Sequence, residues 1–157
     1  ENGYIYLHDT AGTVSSTNYW DGGDDGATQF SVRNTNGGSD YSGRTYVAYL
    51  FASLDGISKV GSYTGTGSNI NVDCGFTAGA RFVMIKRTDS TGNWFVFDTV
   101  RGITSSSSPW IAFNYSVDEQ TGSGNNFIDP YSSGFTVDTT IHALNESGGT
   151  YLFLAIA

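Results

Sequence analysis

Short runs of aromatic and β-branched residues alternate along the chain with stretches rich in Gly, Ser, Asn and Asp. Runs of this kind, bounded by turn formers, read as β-strands. On that reading strands fall at residues 4–7, 29–33, 45–52, 58–64, 70–73, 81–87, 93–98, 110–115, 134–137, 139–144 and 150–157. The polar stretch Thr88-Asp89-Ser90-Thr91-Gly92 predicts a hairpin between 81–87 and 93–98. In its first arm Phe82 and Met84 share one face, Val83 and Ile85 the other. A strand with two apolar faces is expected to be central and buried. No segment holds a helical apolar period over three turns. The pattern therefore predicts an all-β fold, an antiparallel β-sandwich of jelly-roll type with no substantial helix.

The chain also repeats itself. Ser42-Gly-Arg-Thr-Tyr-Val-Ala-Tyr-Leu-Phe-Ala52 aligns with Ser147-Gly-Gly-Thr-Tyr-Leu-Phe-Leu-Ala-Ile-Ala157 at an offset of 105 positions. Phe30-Ser31-Val32 aligns with Phe135-Thr136-Val137 at the same offset, and residues 2–7 align loosely with 92–97 at an offset of 90. The difference corresponds to an insertion in the second copy, expected within the loop 104–126. Residues 53–157 thus read as a complete repeat unit, and residues 1–52 as the C-terminal half of a preceding one, the two either separate or sharing one sandwich. A repeat of about a hundred residues is domain-sized, unlike the short periods of solenoids. The chain opens on Glu1 rather than Met and stops on the apolar run at Ala157, so it is expected to be an ordered piece of a longer polypeptide.

Composition narrows the class. Among 157 residues Gly, Ser, Thr and Asn number 21, 19, 18 and 11, whereas Leu occurs only six times, too few for a helical bundle. Aromatic residues make up 15 % of the chain, against a disordered tail. The net charge of -8, with scattered basic residues, argues against nucleic acid and against anionic membranes as partners. Cys74 is the sole cysteine, which excludes an intrachain disulfide and a cysteine metal cluster and suits a small buried hydrophobe.

Catalytic chemistry finds little purchase. His8 and His142 are the only histidines, and no G-x-S-x-G elbow surrounds a serine. Asp21, Asp24 and Asp25 form the densest acidic cluster, but on a glycine-rich loop that reads as a solvated turn without calcium-loop spacing. No catalytic residue, metal site or cofactor is expected. Lys86-Arg87 reads as the end of a hairpin strand, pairing with Asp89 or Asp98 at the surface.

The strings GRTYVAYLFASLDGISKVGSYTGTGS, GFTAGARFVMIKRTDSTGNWFVFDTVRG and NESGGTYLFLAIA resemble a repeated β-domain of structural and tail-fibre-like proteins of tailed phages. Where that family often carries Pro before the FVMIK block, this chain has Thr77-Ala78-Gly79-Ala80. The resemblance implies a phage virion structural protein, a tail-fibre or related appendage module. It would be located in the virion and assembled as a homo-oligomer with identical subunits and other virion proteins. Aromatic rings beside polar loops supply the alternative, a carbohydrate-binding module for host surface glycans. In that reading Trp20 and Trp110 stack on sugar faces, and Asp21, Asn114 and Asn125 bond their hydroxyls. Trp94 instead begins a core strand. A glycan depolymerase is the third and weakest option.

Overall fold

The computed structural model describes residues 3–20, 29–33, 40–121, 124 and 126–157. The chain divides into two compact units, one of Glu1–Ile5 with Thr13–Leu50, the other of Tyr6–Gly12 with Phe51–Ala157.

In the first unit β1 (Gly3–Tyr4) pairs antiparallel with β2 (Val14–Ser15). Tyr4 and Tyr19 pack ring on ring at 4.4 Å. Trp20 bridges to Val32, and its indole N–H donates to the Gly3 carbonyl at 2.9 Å. The run 45–52 forms no strand, and Val47, Tyr49 and Leu50 are among its exposed side chains. The expectation of a strand there is overturned: among the described residues no neighbouring strand supplies ladder partners.

The second unit is an antiparallel β-sandwich. Its strands are β3 (Ser58–Thr64), β4 (Ile70–Asp73), β5 (Phe82–Arg87), β6 (Trp94–Asp98), β7 (Trp110–Ala112), β8 (Ile128–Tyr131), β9 (Gly134–Val137) and β10 (Thr150–Ile156). One sheet has the order β3-β10-β5-β6-β7, the other β4-β9-β8. The β5–β6 hairpin forms as the sequence predicts, and β5 is central. The last strand, β10, enters between β3 and β5, with Phe153 opposite Gly61 on one side and Ile85 on the other.

Side-chain alternation sorts each strand into two faces. Tyr63, Val83, Ile85, Phe95, Phe97, Tyr151, Phe153 and Ala155 point toward the smaller sheet, where Val72, Ile128, Phe135 and Val137 meet them. Phe135 and Phe153 close the gap between sheets edge to face at 5.5 Å. Cys74 joins this core as a free buried thiol, its pKa pushed up to about 11 by burial.

Residues 139–144, expected as a strand, instead lead into a single helical turn, α1 (His142–Asn145). Two tyrosines and one asparagine hold that turn. Tyr63 Oη donates to the Leu144 carbonyl at 2.6 Å, and Tyr151 Oη to the His142 carbonyl at 2.8 Å. The Asn145 amide donates to the carbonyls of Ser68 and Thr139 and accepts from the Thr66 N–H. These bonds satisfy carbonyls that a one-turn helix leaves open. Burial keeps both phenols neutral by raising their pKa values.

Candidate functional site

The outer face of the five-stranded sheet carries the side chains that alternate away from the core. The register aligns Val60, Leu154, Met84 and Val96 in one row, and Ser62, Leu152, Lys86 and Trp94 in the next. Apart from Ser62 and Lys86 these rows are apolar too, so β5 carries apolar side chains on both faces. Residues 6–12 cover one end of it. Lys86 Nζ donates to the Thr10 and Gly92 carbonyls at 2.9 Å each, the Trp94 indole N–H donates to the Tyr6 carbonyl, and Gly92 N–H donates to the Thr10 carbonyl. Lys86 is fully buried beneath this strap, and its pKa is lowered by burial, with Asp9 pulling the other way.

The rest of the face is partly open, with Val96 and Leu154 buried and Val60, Leu152 and Ile156 exposed. Phe51, Val60, Met84, Trp94, Leu152 and Leu154 line a cavity of about 140 Å³. Phe51, Val60, Leu152 and Ile156 are exposed around it. A surface of this kind is suited to contact with another apolar surface.

Arg87 points to the opposite face and is also buried. It holds Asp89 through two bonds, at 3.0 and 2.9 Å, donates to the His142 carbonyl, and pairs with Glu146. The Arg87 guanidinium holds the Asp89 carboxyl well below the usual carboxylate range. Asp89 in turn accepts from the Thr150 N–H at the start of β10. The expected pairing with Asp89 is present, but the Lys86-Arg87 pair is not a surface feature. Adjacent strand residues face opposite ways, and each side chain is buried by a different layer. Asp98 pairs with Arg101 instead.

Three of the residues proposed for sugar contact are described. Trp20 lies in the first unit, its indole N–H bound to the Gly3 carbonyl and its ring 6.3 Å from Phe30. Trp110 lies on β7, packed against Phe95 at 4.9 Å and Phe127 at 6.3 Å. Asn114 accepts from the Trp94 N–H and donates to the Asn93 side chain, so both ends of its amide are engaged. Asp21 and Asn125 lie outside the described residues.

Two polar features escaped the sequence reading. Ser108 is buried and its hydroxyl accepts the N–H groups of Phe127 and Ile128, pinning the entry to β8. Asn126 donates to Asp138 at 2.9 Å, beside the Asp129 carboxyl, whose pKa is raised by burial and by Asp138. Among the described residues no group of three His, Cys, Asp or Glu side chains could hold a metal ion.

The fold defines the class, an all-β module whose five-stranded sheet carries a partly exposed apolar face. The chain belongs to the family described as Domain of unknown function (DUF7483), whose model matches residues 1–157. No curated protein and no solved structure matches the chain.

Proposed function

We propose that the chain is a structural module of a tailed-phage virion, in a tail fibre or related appendage, which assembles with identical copies and turns over no substrate. The observation that supports assembly is the open apolar face around Phe51, Val60, Leu152 and Ile156. A sandwich whose core is already complete gains nothing inside itself from a second apolar face, whereas an interface core is built from one. The virion assignment is supported by the blocks that resemble tail-fibre-like domains.

Light scattering on the purified chain tests the assembly. A defined oligomer is expected, reduced toward monomer by Leu152→Lys. A monodisperse monomer at high concentration counts against it. Immunogold labelling of particles with antibodies to the chain tests the location, and label confined to the soluble lysate rejects the virion assignment. A glycan array run on the same protein separates the alternatives. Saturable binding lost in Trp20→Ala or Trp110→Ala replaces this reading by a carbohydrate-binding module. Shortening of the glycan replaces it by a depolymerase.

A further inference from the structure

The two repeat segments share more than letters. Gly148 lies before β10 with φ of +82°, and Gly43 occupies the matching position with φ of +79°. Gly149 N–H donates to the Glu146 carbonyl at 3.0 Å, and Arg44 N–H donates to the Tyr41 carbonyl at 3.2 Å. The Tyr151 hydroxyl accepts the Glu146 N–H at 2.9 Å, and the Tyr46 hydroxyl accepts the Tyr41 N–H at 3.0 Å. All three features recur at the 105-residue offset of the sequence repeat. A tight turn closed by a left-handed glycine and clasped by a tyrosine hydroxyl is therefore built twice.

Beyond the turn the two segments diverge. After Gly149 the chain enters the sheet and pairs on both edges, with β3 and with β5. After Arg44, residues 45–52 have no strand partner among the described residues, and Tyr49 is 84 % exposed where its counterpart Leu154 is 6 %. Strand alternation places Tyr46, Ala48 and Leu50 on one face and Val47, Tyr49 and Phe51 on the other. A run that is apolar on both faces, with no charge, is made for the middle of a sheet. Position along the chain says which sheet. The segment runs straight into the turn at Leu54–Ser58, where Leu54 bridges Ser58 and β3 begins. It therefore ends one unit where the next starts.

We propose that residues 45–52 are the closing strand of a further unit of this fold, carried earlier in the same polypeptide. They would enter it between strands of the β3 and β5 type, as β10 enters its own sheet. The turn at Tyr41–Tyr46 is the preformed corner that aims the strand. This inference is independent of where the protein works.

Hydrogen exchange read by mass spectrometry tests it on the full chain, alone and with a copy of residues 53–91 grafted ahead of Glu1. By the repeat alignment, that copy supplies the missing β3-, β4- and β5-type strands. In the ungrafted chain, amides 46–51 are expected to exchange far faster than amides 151–156. In the grafted chain they are expected to slow by at least about tenfold, with 151–156 unchanged. Amides 46–51 as protected as 151–156 in the ungrafted chain would overturn the proposal, since the segment would already be covered. Equal exchange with and without the graft would overturn it as well.

Discussion

Tyr46 and Tyr151 make the same hydrogen bond to a backbone N–H five residues earlier, yet Tyr151 is fully buried and Tyr46 is half exposed. Local chemistry, set by a glycine with positive φ and a reachable hydroxyl, builds the corner in both places. Burial is not local. It depends on whether strands from elsewhere in the chain flank the segment, and only β10 has them. The contrast separates what a short sequence encodes on its own from what it encodes only with partners.

Substitutions at matched positions sharpen that contrast. The largest difference is expected at Phe153, which is packed against Phe135 and Tyr63. Phe153→Asp places an unpaired charge in that layer and is expected to cost more than about 4 kcal/mol in urea unfolding. Ala48→Asp, its counterpart in an exposed segment, is expected to stay within about 0.5 kcal/mol. Comparable losses would mean that residues 45–52 are part of the same folding unit.

Next come the tyrosines. Tyr151→Phe removes the donor to the His142 carbonyl and the acceptor for the Glu146 N–H. A loss of about 1–3 kcal/mol is expected from the groups left unpaired, against about 0.5 kcal/mol or less for Tyr46→Phe. The glycines rank third. Gly148→Ala forces a side chain into left-handed backbone and is expected to lower the stability of the second unit by about 1 kcal/mol. Gly43→Ala imposes the same local strain and is expected to leave that unit's thermal transition unmoved.

The smallest effect is expected from pH. Asp89 ties the start of β10 to Arg87, and its pKa is depressed. A depressed carboxylate contributes its stability in full above its unfolded pKa of about 3.9 and loses it as pH falls through the folded value. Unfolding midpoints should therefore drop more steeply below about pH 4 in the parent than in Asp89→Asn, with the two curves parallel at neutral pH. Parallel curves throughout would remove Asp89 from the anchoring of β10.

Much of the second unit was legible because its strands announce themselves in isolation. The ranges 70–73 and 134–137 coincide with β4 and β9, and the polar loop between β5 and β6 marked a hairpin. The strand β8 was not legible, since Pro130 sits inside it; the position is tolerated because β8 is an edge strand. Thr139, Thr140 and Ile141 suggest a strand, but the hydroxyls of Tyr63, 81 positions before Leu144, and of Tyr151, 9 positions after His142, hold a helical turn just after them. The candidate surface was half legible. Two apolar faces on β5 were visible, but not what covers the second. That depends on residues 6–12, whose backbone meets Lys86 across a separation of 76 positions. The bond that Asn114 accepts from the Trp94 N–H at the start of β6 is likewise visible only in the fold.

The strap over Lys86 and Trp94 has a mechanical consequence. Residues 6–12 belong to the second unit, while the chain on either side of them belongs to the first. The polypeptide therefore passes from one unit to the other at residues 5–6, 12–13 and 50–51. A nick at Leu50–Phe51 leaves the N-terminal fragment latched to the rest through the Lys86, Gly92 and Trp94 bonds. The strap thus keeps its place in the second unit by hydrogen bonds alone, without the covalent link at 50–51.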